Sequence, residues 1–111
     1  MTVIRQKSTP THVFTLPFDT SIITEVEITY RQGGRIKVTK HRADCTFDGT
    51  HISVDLTQQE TLAFEPLTDV DIQLVVVDNT GKVIPSNVLH VPVEEALSKT
   101  ILEVPSSSDE S

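Results

Sequence analysis

Apolar and polar residues alternate along most of the chain between residues 11 and 93, a pattern typical of half-buried β-strands. In the stretch "HVFTLPF" the larger side chains fall on one side, at Phe14, Leu16 and Phe18, and the proline within it indicates an edge strand or a strand end. The stretch "ITEVEITY" alternates in the same way and places five residues on one face: Ile22, Thr24, Val26, Ile28 and Tyr30. Two strands, each with one buried face, are therefore predicted.

Two glycine-containing turns divide the next strands into hairpins. Gly33 and Gly34 fill both central positions of a two-residue turn, where type I′ geometry requires positive φ. A second turn, Asp48-Gly49, follows Phe47. Apolar residues alternate again after each turn, and those after the first turn are predicted to face the core: Ile36 and Val38. The residues that alternate after the second turn are Ile52, Val54 and Leu56.

The stretch "LTQQETLAF" interrupts the alternation and predicts one short helical turn near residues 58–63. Thr57 precedes Glu60 by the capping-box spacing, in which the hydroxyl and the carboxylate each accept a hydrogen bond from a backbone N–H of the first turn. Leu62 and Phe64 are predicted to point inward. This segment is expected to carry the chain from one sheet to the other.

The stretch "DVDIQLVVVDNTGKVI" begins the last predicted hairpin. One face of its first strand holds four apolar residues: Val70, Ile72, Leu74 and Val76. Asp69, Asp71 and Asp78 are interpreted as an exposed strand start and a turn residue, because the stretch lacks the further ligands of an EF-hand loop. Gly81 suits a positive φ in the turn. After the following strand, "EEALSKTIL" predicts a short C-terminal helix or a last strand.

About seven strands separated by turn signals predict an all-β fold, an antiparallel immunoglobulin-like β-sandwich with one short helical turn near residues 58–63. The chain has no tryptophan and no cysteine pair, so this label refers to architecture alone. A length of 111 residues is close to the commonest domain size, so one core is expected. Three parts are predicted: a flexible N-terminal arm at 1–10, a β-sandwich domain at 11–103 and a disordered acidic tail at 104–111.

Charge, cysteine content and the lack of long apolar stretches limit the partners, chemistry and location that the sequence predicts. Sixteen acidic residues against nine basic ones give a net charge of -7, which opposes binding to DNA or RNA. The single Cys45 is interpreted as a small buried side chain rather than a nucleophile with His41 or His51 as its base. No stretch has the apolar length of a signal peptide or a transmembrane span, so a cytosolic location without a membrane partner is expected.

No motif in the chain predicts catalysis, a cofactor or a metal. The four histidines, His12, His41, His51 and His90, lack zinc-ligand spacing and are interpreted as surface or rim residues. The chain contains no G-x-S-x-G nucleophile turn and no glycine-rich phosphate loop. It is therefore predicted not to be an enzyme, and no catalytic, cofactor-binding, metal-binding or small-molecule substrate residues are assigned.

Charge is unevenly distributed, and this gives the one candidate surface. Residues 31–42, "RQGGRIKVTKHR", contain five basic residues and no acidic one: Arg31, Arg35, Lys37, Lys40 and Arg42. Residues 94–111 contain five acidic residues and one basic residue, Lys99. Two interpretations stay open: a solvated hairpin and tail, or a contact in which the basic hairpin of one copy meets an acidic surface of the next.

Three stretches, "LTQQETLAF", "DIQLVVVDNTGKVIPSN" and "VPVEEAL", together with the opening "THVFTLPFDTS", resemble short proteins encoded in the structural-gene modules of tailed phages and prophages of Gram-positive bacteria. They span most of residues 11–102. The hairpin-plus-sandwich plan is more distantly similar to the N-terminal domain of upper baseplate proteins. The resemblance implies an immunoglobulin-like sandwich with no catalytic residues. It also implies a virion structural or accessory role in a head–tail, tail or baseplate assembly, in contact with other virion proteins and with copies of itself.

Two other functions remain as alternatives. A carbohydrate- or host-surface-binding module would stack sugar rings on aromatic side chains, and Tyr30 is the one aromatic residue not assigned to the core. A host-takeover or anti-defence protein would present a continuous acidic face, which the basic hairpin opposes. The virion role places the protein in the virion, and in the host cytoplasm during assembly.

Overall fold

The computed structural model describes residues 3–86 and 88–98, and in them the chain is all-β apart from one short α-helix and two 3-10 turns. The described strands, in chain order, are β1 (Ile4–Arg5), β2 (Thr11–Thr15), β3 (Ile23–Gln32), β4 (Arg35–His41), β5 (Cys45–Asp48), β6 (His51–Asp55), β7 (Val70–Asp78), β8 (Val83–Pro85), β9 (Leu89–Val91) and β10 (Val93–Glu94). The helix α1 is Gln58–Leu62, and the 3-10 turns are Thr20–Ile22 and Arg42–Asp44.

The strands form three sheets within the described residues. A three-stranded antiparallel sheet has the order β2-β6-β5, and a five-stranded antiparallel sheet has the order β4-β3-β7-β8 with β9 also paired to β7. The short strands β1 and β10 pair in parallel. The predicted all-β, mainly antiparallel fold is confirmed. The strand number exceeds the predicted seven because β1, β8, β9 and β10 have only two or three residues each.

One apolar core is shared by the two larger sheets. Its buried members come from β1, β3, β4, β6, β7, β9 and β10 and from the segments on either side of α1: Ile4, Ile23, Val26, Ile28, Tyr30, Val38, Ile52, Val54, Leu56, Phe64, Val70, Ile72, Leu74, Val76, Val91 and Val93. The predicted inward face of β7 is therefore confirmed. Phe14, Leu16 and Phe18 are half-buried and pack against this core, also as predicted.

The predicted helical turn between the sheets is confirmed as α1. The Thr57 hydroxyl accepts a hydrogen bond from Glu60 N at 3.1 Å, and Glu60 Oε1 accepts one from Thr57 N at 2.8 Å. This reciprocal pair satisfies two backbone donors that the first turn of a helix leaves free. Phe64 is fully buried, whereas Leu62 is only half-buried. Helix α1 connects β6 of the three-stranded sheet to β7 of the five-stranded sheet.

The prediction that Ile36 faces the core is wrong, because a β-bulge reverses the face of β4. Tyr30 is opposite Val38, but the next residue, Arg31, is opposite Ile36, so Lys37 is the extra residue on β4. An inserted residue shifts the alternation of side chains by one position. Val38 is 7% exposed and Ile36 is 66% exposed.

The start of β3 also departs from simple alternation. The register of β3 against β7 shifts between Ile23 and Glu25. As a result Ile23 is buried and Thr24 is exposed, although alternation alone placed Thr24 on the same face as Val26. The regular part of β3, from Val26 onwards, follows the predicted faces.

Residues near the N-terminus pack against the domain, which differs from the predicted loose arm over residues 1–10. Ile4 is fully buried and pairs with Val93. The side chain of Gln6 donates to Phe64 O at 2.7 Å and accepts from Ala96 N at 3.1 Å. These two hydrogen bonds connect the N-terminal segment to the loop after α1 and to the end of the described chain.

The predicted C-terminal features are only partly covered by the described residues. A last strand is present as β10, and residues 95–98 form no helix or strand. Residues 99–102, the rest of the predicted C-terminal element, lie outside the described residues, as does the predicted acidic tail at 104–111.

Candidate functional site

The candidate surface predicted from charge lies on the β3–β4 hairpin and on the 3-10 turn that follows it. Gly33 and Gly34 have φ values of 60° and 78°, so both central turn positions adopt the positive φ that was predicted. This conformation is strained for residues with a Cβ atom. The turn connects Gln32 directly to Arg35, which is its partner across the hairpin.

Arg31 lies on the outer face of the five-stranded sheet, where it joins a row of three polar side chains. Arg31 is opposite Asp71 across β3 and β7, and Asp71 is opposite His90 across β7 and β9. Arg31 Nη2 lies 3.3 Å from Asp71 Oδ2, and His90 Nδ1 lies 2.7 Å from Asp71 Oδ1. The hydrogen bond from His90 and that from Arg31 lower the pKa of Asp71. Asp71 therefore bridges two basic side chains.

Lys37 and Lys40 lie beside α1 rather than in that row. Lys40 Nζ is 2.9 Å from Glu60 Oε2, and the Lys40 side chain is only 13% exposed. Lys37 lines an open cavity together with Thr57 and Glu60. Glu60 thus caps α1 with one carboxylate oxygen and binds a β4 lysine with the other. This ion pair connects β4, the edge strand of the five-stranded sheet, to α1.

The remaining basic residues, Arg35 and Arg42, lie in two further environments. The guanidinium of Arg42 lies 5.5 Å from the centroid of the Phe47 ring, a cation–π arrangement. Arg35 is exposed at the tip of the hairpin. Among the described residues, neither Arg35 nor Lys37 has an ion-pair partner. The five basic residues thus belong to one hairpin and the 3-10 turn after it, but they do not form one continuous surface.

The outer-face row borders a small cavity of about 190 Å³. Its lining residues come from β3, β4, β7 and the segment before β9: Thr29, Arg31, Ile36, Asp71, Gln73 and Val88. Ile36 and Val88 are 66% and 41% exposed. The cavity is smaller than the pockets that usually enclose small ligands. It combines exposed apolar side chains with an ordered charged group.

Asp78 has the predicted turn role. Its Oδ1 accepts hydrogen bonds from Thr80 N, Thr80 Oγ1 and Lys82 N at 2.9, 2.7 and 3.0 Å. These bonds, led by that from the Thr80 hydroxyl, lower the pKa of Asp78. Gly81 has a φ of 86°, as expected for this turn. Asp69 is exposed. Asp78 therefore organises the β7–β8 turn, while Asp71 belongs to the outer-face row.

Cys45 is half-buried, and its thiol is directed to the backbone. Cys45 Sγ donates to His41 O at 3.4 Å, so the contact involves the carbonyl of His41 and not its imidazole. Burial raises the pKa of the Cys45 thiol. A raised thiol pKa lowers the thiolate fraction at neutral pH, which opposes nucleophilic reactivity.

His12 and Tyr30 form a buried pair that the sequence did not predict. Tyr30 OH is 2.7 Å from His12 Nδ1. Tyr30 is fully buried, so its ring is not available for stacking on a sugar, and the interpretation that left Tyr30 outside the core is wrong. The interpretation of His12 as a rim residue is also wrong, because His12 is 9% exposed, whereas His41, His51 and His90 are exposed as predicted. Alternation places Tyr30 on the inner face of β3, which was the available signal.

In residues 3–86 and 88–98, no three His, Cys, Asp or Glu side chains are grouped so that they could hold a metal ion. The same residues include no helix of the length and apolarity needed to cross a membrane.

Comparison of the chain with protein-family models, with curated proteins and with solved structures finds no match. The resemblance to phage structural modules therefore stays a prediction from the sequence.

Proposed function

We propose that the chain is a small phage virion protein, structural or accessory, that acts through protein–protein contacts in a head–tail, tail or baseplate assembly. Its partners are other virion proteins and copies of itself. The sequence resemblance over most of residues 11–102 supports this role. The proposal includes the immunoglobulin-like sandwich as the fold: two antiparallel sheets share one core, a crossover helix connects them, and a short N-terminal strand pairs in parallel with the last described strand.

The observation that carries the proposal is the outer face of the five-stranded sheet. Three large apolar side chains lie there or beside it with much of their surface exposed: Ile36, Val83 and Val88 at 66%, 60% and 41%. Ile36 and Val88 line the cavity beside Arg31 and Asp71, which form the ordered row with His90, whereas Val83 pairs with Val77 at the other end of β7. Exposed apolar groups rimmed by polar ones are typical of surfaces that bind other proteins.

Arg35 at the tip of the basic hairpin and Lys37 two residues further along β4 supply the electrostatic part of the proposed contact. Arg35 and Lys37 have no ion-pair partner among the described residues, and the chain carries a net charge of -7. A neighbouring copy therefore offers an excess of carboxylates to this tip. Contacts between exposed charges are screened by salt, so this contact should weaken as ionic strength rises.

Mass spectrometry of purified virions, with stoichiometry, tests the proposed role directly. The protein should be present in a fixed ratio to the other virion proteins. Purified protein added to particles that lack it should co-sediment with them. Absence from purified virions, together with no co-sedimentation, would refute the role in the virion.

A charge-reversal pair tests the hairpin tip. Arg35→Glu/Lys37→Glu should weaken binding to particles about tenfold or more at low salt, because attraction to the acidic neighbour becomes repulsion. Lys7→Glu/Lys82→Glu changes the net charge by the same amount away from the hairpin and is the matched control. Equal losses for the two double variants would indicate an effect of total charge and not of the hairpin.

A further inference from the structure

Most strands at the edges of the two larger sheets carry features that discourage pairing with another chain. The edge strand β4 has a bulge at Lys37 and several basic side chains, β8 contains Pro85, and β5, β8 and β9 have three or four residues each. Charges, bulges, prolines and short length all protect sheet edges from addition of a further strand. The exception is β2, which has the sequence "THVFT", without a charge, proline or bulge.

Backbone groups on the open side of β2 are positioned to pair with an added strand. Among the described residues β2 pairs with β6 alone. Leu16 N donates to Thr50 O, and Pro10 O accepts from Leu56 N, so the even-numbered backbone groups point towards β6. Backbone directions alternate along an antiparallel strand. The N–H and C=O groups of Thr11, Val13 and Thr15 therefore point away from β6.

An apolar groove runs beside this open edge, between β2 and the β8–β9 edge of the other sheet. Two neighbouring cavities of about 280 and 290 Å³ make up the groove. Their apolar lining includes Phe14, Leu16, Phe18, Ile84 and Leu89. Leu89 is 50% exposed and the other four are half-buried. A strand added to β2 would extend the sheet over core side chains that are now in partial contact with solvent.

We propose that the strand added to β2 is β2 of a second copy, paired antiparallel about a two-fold axis at Val13. In this register Val13 faces Val13 of the second copy, and Thr11 faces Thr15 of the second copy. Each is a hydrogen-bonded pair, because these residues direct both backbone groups to the open edge. The two three-stranded sheets become one continuous six-stranded sheet. The inference rests on the proposed function only in taking a copy of this chain as the partner.

Three features favour a second copy over another occupant. The sequence "THVFT" pairs β-branched residues with β-branched residues in the two-fold register, which is favourable across strands. The strand is uncharged, so it brings two chains of like net charge together without adding repulsion at the contact. The N-terminal strand β1 is paired with β10 and does not cover β2. Two-fold dimers are also the commonest soluble assemblies.

A matched pair of lysine variants tests the contact by sedimentation. Val13 on β2 and Thr46 on β5 are both exposed and both lie opposite Ser53 of β6, so the protein should fold with lysine at either position. Val13→Lys places two ammonium groups opposite each other across the axis and should weaken dimerisation about tenfold or more. Thr46→Lys should leave dimerisation unchanged, because β5 is the opposite edge of the same sheet. An equimolar mixture of Val13→Lys and Val13→Glu should dimerise again, because only opposite charges then meet.

Cross-linking tests the register. In a Cys45→Ser background, Val13→Cys should give a covalent dimer with a short bifunctional thiol reagent, and Thr46→Cys should not. The dimer should persist in high salt because its contact contains no charged pair. Under the same salt the proposed hairpin contact should be lost. The two contacts are therefore distinguished by salt as well as by mutation.

Several outcomes would overturn the inference. A wild-type protein that stays monomeric at its highest soluble concentration excludes the β2 dimer, as does a Val13→Lys variant that dimerises normally. Loss of the dimer on removal of residues 99–111 would mean that this segment of one copy, and not its β2, occupies the β2 edge of the other copy. Detection of the protein in virions alongside any of these results would leave the proposed function standing and reject only the β2 contact.

Discussion

The Tyr30 hydroxyl lies 2.7 Å from Nδ1 of His12, and this hydrogen bond joins the inner faces of the two larger sheets. Tyr30 belongs to β3 and His12 to β2, so the bond crosses the core. The centroids of the His12 and Tyr30 rings lie 5.6 Å apart, with the ring planes tilted, and the centroid of the Phe64 ring lies 6.1 Å from that of Tyr30. His12 Nε2 is buried without a hydrogen-bond partner among the described residues. The pair therefore places a polar contact among the buried apolar side chains of the core.

Removal of the Tyr30 hydroxyl should destabilise the protein through His12. Tyr30→Phe leaves Nδ1 of His12 buried without a partner, so the free energy of unfolding should fall by about 1–2 kcal/mol. In a His12→Leu background the same change should cost less, because no imidazole remains to be satisfied. Urea denaturation of the four proteins of this cycle measures the coupling. Strictly additive costs would contradict the interaction.

His12 should make stability depend on pH below neutrality. Burial lowers the pKa of His12 from its usual value of 6.5. Below that value the unfolded chain binds a proton that the folded protein excludes, so the free energy of unfolding should decrease as pH falls from 6.5 towards the lowered folded-state pKa. Above 6.5 this contribution should be constant. Urea denaturation at several pH values in this range should show that the free energy of unfolding of His12→Leu depends less on pH than that of the wild type. An unchanged pH dependence would mean that other groups cause it.

Because of the bulge at Lys37, two similar substitutions on β4 should differ in their cost in free energy of unfolding. Val38→Ala should lower the free energy of unfolding by roughly 2 kcal/mol, because Val38 is buried and its truncation leaves a cavity. Ile36→Ala should change it by less than about 0.5 kcal/mol, because Ile36 is exposed on the outer face. Chemical denaturation of both variants provides the comparison. Equal costs would mean that both side chains face the core, as simple alternation predicted.

Glu60 should matter more for stability than the hydroxyl with which it caps α1. Thr57→Ala removes one cap bond and should cost about 1 kcal/mol. Glu60→Ala removes the other cap bond and also leaves the mostly buried Lys40 ammonium without its partner, so it should cost roughly 2 kcal/mol. Lys40→Met in the Glu60→Ala background should restore part of the loss. Thermal unfolding can rank the variants; if Glu60→Ala costs no more than Thr57→Ala, the ion pair contributes nothing.

Local features of the sequence were sufficient for several elements. The Gly33-Gly34 turn, the Thr57 and Glu60 capping box and the Asp78 turn each depend on residues within four positions of one another. Such interactions are set by backbone conformational preference and by short-range hydrogen bonds, which the sequence displays directly. The inner face of β7 was equally predictable, because its alternation is unbroken.

The sequence by itself determined an all-β chain, its main hairpins and the basic composition of one of them. The tertiary structure decided which of these residues meet. Arg31, Asp71 and His90 lie on three strands that are distant in sequence, so only strand register brings them together. The bulge in β4 places Ile36 on the outer face. Alternation along the sequence cannot reveal this, because one inserted residue changes the face of every residue on its other side. His12 and Tyr30 meet only where two sheets pack, a contact that depends on three-dimensional packing and not on local sequence.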